Sequence, residues 1–293
     1  GFTGSGVAGG TIIKLAMDRG WTPDTGEPLN WDSVIGTREE GAIVDANWIE
    51  EREIAPLYPQ WQPAQELKRY LELLFESSEN VGYVTETWYN GDRDRYLPTK
   101  GSYDRTAGEL IEALSRCSGD VGAVIGDYKR DAGAWIRFNP LDGQGVKNEN
   151  VTDFRYALVE SDCMSLEKQY ALIRELELPA VVLVHSGGKS LHAIVRIEAG
   201  DLSEYRKRVD YLYGVCEKNG LKLDSQNRNP SRLSRMPGIL RGENRQYIVA
   251  ENIGKASFAE WKEWIEAAND DLPDMQSLSE VWNNMPPLSP PLI

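Results

Sequence analysis

The chain has 293 residues, 41% of them hydrophobic, and a formal net charge of −14 at pH 7. It is long enough for one large domain or two modest ones, and too acidic to coat nucleic acid with a broad basic surface. No run of about 18 apolar residues occurs, which removes a transmembrane helix and predicts no membrane partner.

Cys117, Cys163 and Cys216 are odd in number and widely spaced. They suit a reducing cytoplasm, match no zinc or disulfide framework, and read as buried thiols. The opening stretch lacks the basic start and apolar centre of a signal peptide and does not begin with Met, so an excised or processed fragment is expected.

In chain order, residues 8–21 carry Ile12, Ile13, Leu15, Ala16 and Trp21 at near-helical spacing, closed at Gly20. Residues 22–62 are rich in Pro, Trp and turn formers and read as irregular. Residues 1–62 are therefore expected to be an N-terminal helix and an irregular linker. Residues 63–77 form an amphipathic helix with Leu67, Tyr70, Leu71, Leu74 and Phe75 on one side. Residues 81–90 alternate as a strand, followed by a GDRDR turn. Residues 106–117 predict a helix capped by Thr106, and 133–141 a strand broken by Pro140.

Then come a strand over 155–162, a helix over 165–176, and two strands, 180–185 and 191–197, joined by an SGGKS turn. A long helix over 202–220 ends at Gly220. A loop, a strand over 245–254 and a helix over 257–269 follow. The β-α-β-β-α-β order predicts an α+β fold with an RRM-like, ferredoxin-type mixed sheet and an additional N-terminal α/β module. Residues 63–270 are expected to form the main domain, and the Pro-rich 271–293 a tail or linker.

Glu160 and Asp162 lie two apart on a predicted strand, so their carboxylates share a face. Like charges repel there, and burial of either needs a positive partner. Salt bridging to arginine is the plain reading. With Asp224, the three carboxylates also make a hard-oxygen set suited to Mg²⁺ or Mn²⁺. Two such ions can activate a hydroxyl and stabilise a leaving pyrophosphate.

The turn Ser186-Gly187-Gly188-Lys189-Ser190 is not a P-loop. That motif needs Gly five places before Gly188, where Leu183 stands, and a helix after it. What is left is a glycine tip whose amides can approach an anion, with Lys189, Ser190 and His192 nearby. These groups suit a triphosphate; an ordinary hairpin with a structural His is the other reading. Only His185 and His192 occur, which disfavours zinc hydrolases. Residues 228–245 hold five Arg against one Glu in this acidic chain, marking a local anion site or a solvated face.

The order acid-x-acid strand, helix, strand, SGGKSxH, strand, helix, Asp224 and the Arg-rich NPSRLSRMPG resembles the archaeo-eukaryotic primase superfamily. It is most similar to primase-polymerases of phages, plasmids and CRISPR-linked mobile elements. The likeness covers 130–250 and, more loosely, 63–130, and the stretch GSGVAGGTIIKLAMDRGW resembles the end of a small helical module found in such replication proteins. It departs from the common pattern in Glu160, which stands where Asp is usual.

The resemblance implies a template-dependent nucleotidyltransferase that makes primers on single-stranded DNA from NTPs or dNTPs with two divalent ions. It implies that Glu160, Asp162 and Asp224 hold Mg²⁺ or Mn²⁺. Ser190 and His192, with Lys189 and the turn Ser186, Gly187 and Gly188, would contact nucleotide phosphates. Arg232 and Arg235 would add phosphate or template contacts, and Arg137 and Asn139 are further candidates. It also implies a helicase beyond the C-terminus and a cytoplasmic place in a bacterial or phage-infected cell. A metal-dependent nuclease and a non-catalytic RRM-like nucleic-acid-binding subunit are the alternatives.

Overall fold

The computed structural model describes residues 42–46, 49–224 and 227–270. The predicted helix over 8–21 and the tail over 271–293 lie outside them. In chain order come helix α1 (Pro63–Leu74), strands β1 (Asn80–Val84), β2 (Thr87–Asn90), β3 (Arg95–Pro98) and β4 (Ser102–Thr106), then helices α2 (Ala107–Arg116) and α3 (Gly122–Ile125). Next are β5 (Trp135–Arg137), β6 (Phe154–Val159), α4 (Leu166–Glu175), β7 (Ala180–His185), β8 (Leu191–Ala199) and α5 (Leu202–Lys218). The last are β9 (Leu233–Arg235), β10 (Ile239–Arg241), β11 (Asn244–Ile253) and α6 (Phe258–Asp270).

Helix ends follow local chemistry. Thr106 and Glu109 form a reciprocal capping box on α2, Ser165 accepts from the Lys168 amide on α4, and Asp201 accepts from the Glu204 amide on α5. Gly220, at φ +82°, turns the chain just beyond α5.

The sequence AVVLVH of β7 is apolar throughout because both faces are covered. Val182 and Val184 join Ile194, Ile248 and Leu158 in a cluster shared with α1, α2 and the strands β1 and β5. Leu183, with Ala193, Val195 and Val159, packs instead against Leu172, Tyr205, Leu212 and Trp261 of α4, α5 and α6. One residue of register thus separates the two cores.

The sheets are five strands in the order β10-β11-β7-β8-β6, four in the order β4-β1-β5-β9, and the hairpin β2-β3. Among the described residues every named strand pair is antiparallel, which corrects the expected mixed sheet. The β-α-β-β-α-β order is present, and β8 splits β6 from β7 as a ferredoxin-type unit requires.

The last strand differs from the ferredoxin arrangement: β11 pairs with β7, not with the outer edge of β6. That edge is already occupied. Asn139 accepts from the Tyr156 amide and donates to its carbonyl, both at 2.9 Å. The Tyr213 hydroxyl donates to the Leu158 carbonyl at 2.7 Å, and the Asp224 amide to the Glu160 carbonyl at 3.2 Å. Alternate residues of an edge strand are thereby satisfied without another strand.

Residues 81–90, expected as one strand, divide into β1 and β2. The predicted strand over 133–141 shortens to β5. Cys216 is buried as expected, but Cys163 is exposed and Cys117 half-buried, which corrects that reading. No helix among the described residues is long and apolar enough to cross a membrane.

Candidate active site

Glu160 follows β6 directly, and its carboxylate meets His192 of the neighbouring β8. His192 Nε2 lies 2.6 Å from Glu160 Oε2, and Asn227 donates to Glu160 Oε1 at 2.7 Å. The other histidine nitrogen, Nδ1, accepts the Arg235 amide at 3.1 Å and lies 3.1 Å from Ser234 Oγ. An acceptor at Nδ1 leaves Nε2 as the nitrogen that donates to the carboxylate. His192 is 5% exposed, so this couple is built into the wall between the two large sheets. Burial alone would raise the Glu160 carboxyl. His192, then Asn227 and Arg232, outweigh it and hold the group well below the usual carboxylate range.

Of the three predicted metal-holding carboxylates, Glu160 and Asp224 are neighbours in backbone and both feel Arg232. Asp224 stands beside Glu160 through the amide bond above, and Arg232 Nη2 lies 4.0 Å from its carboxylate. Asp162 is exposed and lines a cleft of about 520 Å³ with Gly187, Gly188, Lys189, Ser190 and Arg241. Among the described residues no three His, Cys, Asp or Glu side chains come together as a metal-holding group. Glu160 is engaged by His192 and Asn227 in this arrangement.

The glycine turn is more self-contained than its sequence implies. The Gly187 amide donates to His185 Nδ1 at 3.0 Å, the Ser186 amide to the Ser190 carbonyl at 3.1 Å, and the Ser190 amide to Ser186 Oγ at 3.3 Å. Ser186 and Ser190 are buried, and their hydroxyls lie 3.3 Å apart. Glycine at 188 leaves room for an arginine, since a Cβ there would sit 2.7 Å from Arg241 Nη1.

A second cleft, of about 660 Å³, shares Asp131 and Arg241 with the first. Its lining carries Arg93, Arg95, Arg137, Arg232, Arg235 and Arg241, against Asp94 and Asp131. Arg235 donates to the Ala132 carbonyl at 2.7 Å and stacks its guanidinium 4.2 Å from the Trp135 ring centroid. Burial, then the neighbouring Arg241, pull Arg235 down to about 9. Arg137 is 6% exposed, its Nε and Nη1 have no hydrogen-bond partner among the described residues, and burial lowers it to about 10. Gly82 makes room for it: a Cβ there would lie 2.9 Å from Arg137 Cδ.

Of the residues picked from sequence, Glu160 and His192 meet directly. Arg137, Arg232 and Arg235 share the arginine cleft, and Asp162 and Lys189 line the adjoining one. Asn139, by contrast, satisfies a strand edge. Sequence reasoning missed Asn227 and Ser234, which act by position, and Arg93 and Arg95, hidden in a segment read only as a turn. Arg241 did carry a signal, as a member of the arginine-rich run.

No family model and no curated protein matches this chain. Among solved structures it is similar to the AEP domain of the cyanophage S-2L primase-polymerase, with 16% identity and a TM-score of 0.46 over 68% of this chain and 96% of that one. It is similar to the catalytic domain of primase RepB' in complex with initiator DNA, with 13% identity and a TM-score of 0.43 over 77% of this chain and 100% of that one. A further structure of primase RepB' gives 14% identity and a TM-score of 0.42 over 75% and 67% of the two chains.

Proposed function

We propose that this chain is a template-dependent nucleotidyltransferase of the primase type, extending or starting strands on single-stranded DNA from NTPs or dNTPs. The observation that carries the reading is the arginine cleft: six guanidinium groups line one cavity of a chain whose net charge is −14. Arg137 lies there buried, with two nitrogens that have no hydrogen-bond partner among the described residues. A buried cation without an anionic partner is costly, and a phosphate entering the cleft offsets that cost.

In the reaction, a 3′-hydroxyl attacks the α-phosphate of the bound nucleotide. A new P–O bond forms as the bond to pyrophosphate breaks, and charge accumulates on the leaving group. Preorganised arginines stabilise that charge without reorganising. Glu160 and His192 hold the junction of the two sheets fixed beside them.

Mg²⁺ or Mn²⁺ at Glu160, Asp162 and Asp224 belongs to this proposal. At Glu160 they would meet oxygens that already face His192 and Asn227. The helicase partner, the role in a phage or mobile element and the cytoplasmic setting also belong to the proposal.

Incorporation of labelled NTPs and dNTPs on a single-stranded template, with Mg²⁺ and Mn²⁺ tried separately and with or without a primer, tests the reading. Template-dependent extension supports it; degradation of the template instead identifies a nuclease. Asp162→Ala is expected to abolish extension without changing the melting temperature. Unimpaired synthesis by that variant would remove the assignment of the acids.

A further inference from the structure

We propose that the β2–β3 hairpin, Thr87–Pro98, is an arm that grips a single nucleic-acid strand by stacking a base on Trp88 while Arg93 and Arg95 take its phosphates. This rests on the functional reading above and adds the element that holds the template.

The hairpin forms its own two-stranded sheet, apart from the other two. A lone hairpin is marginally stable in water, so its attachments matter. Tyr96 packs on the small cluster of Val84, Ala132 and Trp135, and the Lys129 ammonium donates to its hydroxyl at 2.6 Å. The Thr99 amide bonds the Glu86 carbonyl at 3.1 Å and closes the base. At the tip, Asn90 accepts the Arg93 amide at 3.0 Å, and the Tyr89 hydroxyl bonds the Asp94 carboxylate.

This anchored hairpin exposes two large aromatic side chains. Trp88 is 50% exposed and Tyr89 52%; among the described residues only Leu57 is a comparable exposed hydrophobic. Tyr89 is braced edge-on by its cross-strand partner Tyr96, with ring centroids 5.3 Å apart. Trp88, on the opposite face, is paired with Leu97, which lines the arginine cleft. Arg93 and Arg95 of the same hairpin line that cleft as well.

An exposed indole beside guanidinium groups matches the needs of a flexible polyanion with flat rings. Stacking accepts any base, and the arginines follow the backbone. In a paired duplex the base faces are covered, so a single strand fits this surface better.

Fluorescence anisotropy with a 5′-labelled oligothymidylate and an abasic oligomer of equal length tests the arm. Trp88→Ala is expected to weaken oligothymidylate binding about 10-fold, leave the abasic oligomer unaffected and keep the salt dependence of wild type. Trp88→Phe should restore most of the loss. Arg95→Ala should instead weaken both oligomers and lower the salt slope by about one.

Wild-type affinity of Trp88→Ala for oligothymidylate, or an equal loss on both oligomers, overturns the proposal. So does a wild-type chain that binds neither. Should Trp88→Ala lose its cooperative melting, photocrosslinking of wild type to an iodouridine oligomer decides: adducts within 87–98 support the arm, and adducts only elsewhere overturn it. A chain that binds through Trp88 yet incorporates no nucleotide sinks the enzyme reading and leaves the arm standing. Normal incorporation with an indifferent Trp88→Ala sinks the arm alone.

Discussion

Arg69 on α1 and Arg137 on β5 both pack against the antiparallel core, in opposite electrostatic settings. Arg69 donates through Nε and Nη2 to both oxygens of Glu251, at 2.8 to 3.1 Å, and the Tyr58 hydroxyl donates to the same carboxylate at 2.5 Å. Hydrogen bonding to Glu251 accordingly pushes Arg69 up, while burial pulls Arg137 down. Arg137 shares its cleft with five other arginines, and among the described residues its Nε and Nη1 have no hydrogen-bond partner. An ion pair with matched geometry is a structural brace. A buried cation left without a counter-ion weakens the fold and readies a site for a ligand's charge.

The sharpest way to break this contrast is Arg137→Met. It removes charge-assisted contacts worth about 1.5–3 kcal/mol each, so affinity for a nucleoside triphosphate, read by titration calorimetry, should fall at least about 30-fold. The melting temperature should stay level or rise, because an uncompensated buried charge has gone. A lower melting temperature with unchanged affinity would make Arg137 a brace like Arg69.

Next in size is Glu66→Gln, on the same helix as Arg69. Burial raises the Glu66 carboxyl from 4.5 to about 7, against the Ile248 amide that lowers it, and Glu251 adds to the rise. The folded chain then keeps a proton that the unfolded chain loses. The stabilisation is complete below about pH 4.5 and is lost as pH climbs to 7, a loss of about 3 kcal/mol at roughly 1.4 kcal/mol per pH unit. Denaturant melts of Glu66→Gln should therefore exceed wild type by about 2 kcal/mol at pH 8 and match it at pH 4. A constant difference across pH would place the proton elsewhere.

Arg69→Met should cost about 1–2 kcal/mol in urea melts, since Glu251 is mostly buried but Arg69 is not. Triphosphate affinity should not change. Smallest is Gly82→Ala. Its methyl would start 2.7 Å from Leu141 Cδ1 and 2.9 Å from Arg137 Cδ, both movable ends. About 1 kcal/mol of stability and a few-fold of affinity should go together, through displacement of Arg137.

The sequence made the central β-α-β-β-α-β order legible because β7 and β8 are apolar on both faces and Thr106 and Ser165 announce helix starts. It hid the position of β11. That depends on Asn139, Tyr213 and Asp224, three residues far apart in the chain with no shared period, which seal the β6 edge. The break between β1 and β2 was also hidden, because the apolar alternation runs through it. Glu160 and His192 stood out by spacing. Ser234 and Asn227 did not, since a short hydroxyl or amide signals nothing until its partner is placed. The strand expected over 155–162 illustrates the same limit: adjacency in sequence put Glu160 and Asp162 on it, but β6 ends at Val159.

Strand β9, only three residues long, pairs with β5 through Trp135↔Arg235 and also delivers Ser234 and the Arg235 amide to His192. A growing polypeptide therefore exposes β5 on one side until about 100 further residues have been made, on the order of 5–20 s of translation at typical rates. During that interval the first sheet has an open rim, and nothing yet holds the imidazole of His192 from the Nδ1 side. Emergence of β9 closes the rim and completes the wall around His192 in one event.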